Sequence, residues 1–192
     1  MLLTGRIAGA GLLALLWLGP LPALAQVSLT AHMILHVGVV ALVPALLRVR
    51  VSARLGGALP ALAVLAEMVV VWGWHLPAPH IWASIDDTGF VLQQASFLAA
   101  GIAVWSLADA AGRLAAPVML MVTGMHMAML GIALTLAPAV LYPGVCGGGP
   151  FGLGPLEDQQ MAGIVMAVFA PAVYLAGGLA RLAPLLSERR AA

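Results

Sequence analysis

Every basic residue in this 192-residue chain is an arginine, and the eight fall into groups separated by long apolar runs. The groups are Arg6; Arg48, Arg50 and Arg54; Arg113; and Arg181, Arg189 and Arg190. A helix needs about 20 residues to cross the hydrocarbon core of a bilayer. Runs of that order lie at 29–47, 55–76, 90–107, 114–141 and 161–186. With 63% hydrophobic and 8% charged residues, a soluble domain of this size could not hide its apolar surface, so the solvent is lipid. The fold class is therefore all-α, a polytopic transmembrane helix bundle. No basic stretch of a kind that would grip nucleic acid is present.

The arginines also orient the bundle. Cytoplasmic loops carry the excess of Lys and Arg, which puts 48–54 and 108–113 inside, with the tail 187–192, "SERRAA". Residues 77–89 and 142–160 then lie outside, and neither stretch holds a basic residue apart from histidine. Five helices alternate consistently, the first starting outside and the last ending in the cytoplasm. The setting this implies is a membrane crossed several times, with the functional face outward.

The N-terminus fits that orientation. Arg6, the apolar stretch "IAGAGLLALLWL", a Gly19-Pro20 break and the Ala-Leu-Ala of 23–25 before Gln26 form the pattern of a secretory signal peptide. Residues 1–25 are thus read as a cleaved signal, leaving 26–186 as one transmembrane domain. The alternative is an uncleaved sixth helix of the same orientation.

Ionisable residues inside spanning helices are costly and point to a site by default. With about 100° per residue, His32 and His36 share one wedge of the first span, with Met33 on its flank. Glu67, Met68 and His75 share a face of the second. On the fourth, His126, Met129, Met125 and Met119 group together while Met127 points elsewhere. Asp158, Gln159 and Met166 form a stripe on the fifth. At ~1.5 Å per residue, these faces describe a polar track from the outer surface to about mid-membrane.

Imidazole with thioether is a donor set that suits Cu(I). Each residue also has a plainer reading. Methionine fills gaps in packed helices, and a lone intramembrane histidine is as readily a hydrogen-bonded packing residue. Glu67 is a counter-charge, a proton acceptor or a protonated acid bonded to a neighbouring helix. His80 reads as a plain loop histidine. Cys146, the one cysteine, is a ligand or an inert thiol and excludes any internal disulfide.

Several blocks together resemble the CtaG-type cytochrome c oxidase assembly factors, the membrane proteins linked to maturation of caa3-type oxidases. They are "HMILH" at 32–36, "WHLP" at 74–77 and "FLAAGIAVW" at 97–105. The match extends through "MHMAMLGIALTLAPAVLYP" at 125–143 and "GLGPLEDQQMAGIVMAVFAPAVYL" at 152–175. The resemblance implies a non-enzymatic factor that helps the oxidase acquire copper and docks on oxidase subunits. It carries over to His32, His36, His75 and His126, and to Asp158, Gln159, Gln160 and Met166. The chain departs from the family pattern at Gln93 and Gln94, where an "EH" pair is usual, and it is a short form.

The expected metal set is therefore His32, His36, His75, His126, Met33 and Met129. Glu67, Gln94, Asp158, Gln159, Gln160 and Met166 are the expected supporting or docking residues. Two other classes compete. One is a metal-free structural partner of the oxidase, docking through "PLEDQQ"; the other, less favoured, is a bis-His haem protein using His36 and His126.

Overall fold

The computed structural model describes residues 2–49, 51, 58–145 and 150–190, with side chains placed up to residue 184. Among these residues there are helices and no strands. Helices α1 (Leu2–Leu18) and α2 (Leu21–Ala25) precede α3, which runs over Leu29–Leu47. Then come α4 (Ala58–Trp74), α5 (Pro77–Ile85), α6 (Asp87–Ala110), α7 (Ala115–Leu136) and α8 (Pro155–Arg190). Helices α3, α6, α7 and α8 are each long and apolar enough to cross a membrane. A bend of 72° separates α4 from α5, and the pair counts as a fifth span if taken together. The chain is a multi-pass membrane protein.

The expected spans coincide with α3, α4, α6, α7 and α8, and three differences have local causes. Residues 77–89 are not a loop, because Pro77 stands at the first helical position, where its fixed φ and missing N–H suit helix initiation. Asp86 then caps α6 by accepting from the Gly89 N–H at 2.8 Å, which starts that helix at Asp87 rather than near residue 90. Helix α8 starts at Pro155, ahead of the expected 161, again with proline at its N-terminus. The signal-peptide pattern forms α1 and α2, with Gly9 against Leu46 and Leu47, and Leu16 against Gly38. Arg50, Arg54 and Cys146 lie outside the described residues.

Two devices bring α3 into the centre of the bundle. At its start, Asp158 of α8 caps it from outside. The carboxylate accepts from Ser28 Oγ at 2.9 Å, Leu29 N at 2.6 Å and Thr30 N at 3.1 Å. These are donors that a helix N-terminus otherwise leaves unpaired. In its middle, Pro44 has no N–H to offer the Val40 carbonyl, and the helix widens to a π turn over Gly38–Leu42. The Tyr174 hydroxyl of α8 donates to the freed Val40 carbonyl at 3.1 Å. Gly101 of α6 packs on the same bulge, where a Cβ would collide with the Val40 carbonyl and Pro44. Helices α7 and α8 approach closely at Gly131 and Gly163, where any side chain would strike the opposite backbone.

The arginine-bearing end is closed by ion pairs. Arg48 Nε lies 2.7 Å from one oxygen of Asp109, and Arg181 pairs with the other. One carboxylate thereby ties α3, α6 and α8 together.

Candidate metal centre

At the opposite end, four imidazoles meet. His32 and His36 come from successive turns of α3, His75 from the break after α4, and His80 from α5. All four are at most 5% exposed. Ring centroids are 4.7 Å apart for His32–His80 and 5.1 Å for His36–His75. The pairs His32–His75, His75–His80 and His32–His36 are at 6.0, 6.1 and 6.2 Å. Two imidazoles bound through nitrogen to one ion at about 2.0 Å cannot have centroids much more than about 6 Å apart. The cluster therefore has the dimensions of a shared ion's surroundings. Among the described residues, no three His, Cys, Asp or Glu side chains already converge on one point. Any ion held here would draw the rings together.

Hydrogen bonding sharpens the picture. His75 Nδ1 lies 2.6 Å from the Val71 carbonyl. A carbonyl only accepts, so Nδ1 carries the proton and Nε2 keeps its lone pair. That nitrogen is buried with no partner among the described residues, as are His32 Nε2 and both ring nitrogens of His36. His80 has the Trp74 backbone nearby, yet neither of its ring nitrogens makes a hydrogen bond of ordinary geometry. A buried unpaired donor costs about 1–3 kcal/mol, so His36 and His80 together cost a few kcal/mol. Whole domains are stable by only about 5–15 kcal/mol.

Apolar and aromatic groups enclose the cluster. The Phe97 ring lies 4.1 Å from that of His36. Tyr142 is fully buried, with its ring 4.2 Å from His80 and its hydroxyl donating to the His75 carbonyl at 2.7 Å. Gln94, one turn before Phe97, is buried, and its Oε1 lacks a partner among the described residues. Met33 and Met166 are also fully buried.

His126 is not part of this ring cluster. Its Nε2 is 2.7 Å from Glu67 Oε2, and Glu67 Oε1 lies 3.1 Å from the Tyr174 hydroxyl. Glu67 is thus bonded to neighbouring helices on both oxygens. Met129 is corrected outright. It is 59% exposed and Met125 64%, so both face away from the bundle, whereas Met119 and Met127 are buried. The wedge of α7 that holds His126 is turned toward Met127, because α8 packs on that side through Gly124 and Gly131.

Of the "PLEDQQ" residues, Asp158 and Gln159 are buried, while Pro155 and Glu157 are exposed. Asp158 holds the start of α3. Gln159, fully buried, accepts from Leu141 N at 2.7 Å and donates to the Ala139 carbonyl at 3.2 Å, fixing the loop that presents Tyr142. The Gln160 carbonyl receives a long hydrogen bond of 3.4 Å from Thr135.

Sequence reading missed His80, Tyr142, Phe97 and Tyr174. For His80 a signal existed: a helix starting at Pro77 puts it one turn in, facing back toward His75. The tyrosines and Phe97 gave none, since a lone aromatic in an apolar run is ordinary.

No curated protein and no solved structure matches this chain. A family model described as cytochrome c oxidase caa3 assembly factor matches residues 48–186, a stretch that holds Glu67, His75, His80, His126 and Tyr174. The chain belongs to the cytochrome c oxidase caa3 assembly factor family.

Proposed function

We propose that this assembly factor handles copper on the extracytoplasmic side of the bacterial plasma membrane, without catalysis, and passes it toward subunits of the oxidase. The observation that carries the reading is the set of buried, unpartnered imidazole nitrogens on His32, His36, His75 and His80. Four imidazole donors buried together favour an ion that tolerates low coordination, as Cu(I) does. The Nδ1 bond of His75 to the Val71 carbonyl supports this, since metal-binding histidines are generally oriented through their second nitrogen. Copper is cargo here, so its release matters as much as its binding.

The test is copper retention by the purified chain after Cu(I) loading. Wild type should hold copper through gel filtration, and His32→Ala and His80→Ala should each lose about one ion per chain relative to it. Equal and negligible copper in all three would defeat the metal reading and leave a structural docking factor. The bis-His haem alternative has less support, because Phe97 covers a face of His36 and Glu67 occupies Nε2 of His126. A Soret band in the purified chain would revive it.

A further inference from the structure

We infer a second, deeper Cu(I) site made by His126, Met68 and Met119 and oriented by Glu67; it rests on the copper reading for its ion but on separate residues. The three side chains line one cavity of about 350 Å³ between α4 and α7, whose other walls include Val64 and Val122. Among its lining residues only His126 is polar. His126 is 6% exposed and Met119 7%. His126 Nδ1 is buried and has no partner among the described residues, while Nε2 is held by Glu67 at 2.7 Å.

That arrangement is the carboxylate–imidazole pair that fixes a metal-binding histidine. When Nε2 donates its proton to Glu67, the lone pair falls on Nδ1. Tyr174 braces Glu67 from the far side, so the ring is held by a chain of bonds running through three helices to the Val40 carbonyl. Two thioethers and one imidazole form a softer set than the four imidazoles above and select Cu(I) over harder ions. A packing role would not need an unpaired Nδ1 on a ring that lines the same cavity as two methionines.

X-ray absorption of the full-length chain, purified in detergent and loaded with Cu(I), separates the two sites. Wild type should show sulfur as well as nitrogen around copper. Met68→Leu/Met119→Leu should lose the sulfur contribution and about one ion per chain, and His32→Ala/His80→Ala should keep the sulfur. Leucine conserves methionine's volume, and His126→Gln serves as a second variant should the double one not fold. Copper bound through nitrogen alone in wild type overturns the deeper site and spares the outer one. Sulfur that persists in the methionine or His126 variant overturns it as well. Copper absent from every sample overturns both.

Discussion

The two ends of the bundle treat their polar groups in opposite ways. At the arginine end, charge is matched: Asp109 gives one oxygen to Arg48 and the other to Arg181, and Ser106 Oγ accepts from Val49 N at 2.9 Å. At the histidine end, four imidazoles lie against one another with ring nitrogens unmatched among the described residues. The elements around them are tied by hydrogen bonds of Asp158, Gln159 and Tyr142. A satisfied cluster is explained by the fold it ties together; the unpaired nitrogens of the other cluster are what the copper proposal rests on.

The largest effect should come from breaking that frame. Asp158→Ala strands Ser28 Oγ, Leu29 N and Thr30 N at the start of α3. We expect a loss of about 3 kcal/mol, read from the thermal unfolding midpoint in detergent, with the histidine cluster losing its alignment. If stability is unchanged, the clamp is not what holds α3. Next, Tyr174→Phe removes the hydroxyl shared by Val40 and Glu67 and should cost about 1.5 kcal/mol. A neutral result would mean that the π turn needs no cap.

The sharpest test of the contrast is His36→Leu. Replacing an unpaired buried donor with an apolar group of similar size should raise the stability of the copper-free chain by about 1 kcal/mol while lowering its copper content. A destabilised variant would show that His36 does have a structural partner. The smallest effect belongs to the other end, where the ion pairs are partly exposed. Asp109→Asn should cost only about 0.5–1 kcal/mol and leave copper binding alone. A change in copper binding would mean that the two ends are coupled.

His80 and Met129 show where sequence reading stopped. Helical spacing correctly joined His32 to His36, since both lie on one element and differ by one turn. It could not say that a 72° break after α4 folds His80 back beside His75. For α7, spacing gave the relative angles of the residues, but not which direction was inward. Met125 and Met129 were grouped with His126 by angle alone, and the packing of α8 through glycines turned them outward.

The sequence by itself determined that the chain is a helical membrane bundle and the order of its spans. In lipid every backbone group must be bonded internally, which for long apolar runs of this kind means helices of about 20 residues. It also held enough motif to reveal the family. Tertiary structure alone decided that four imidazoles cluster while His126 pairs with Glu67, and that Asp158 and Gln159 bond α3 and the 139–141 segment. The reason is physical: contacts between helices depend on crossing distance and rotation. Here both are set by single groups, the missing N–H of Pro44, the bare backbones of Gly101, Gly131 and Gly163, and the reach of one carboxylate.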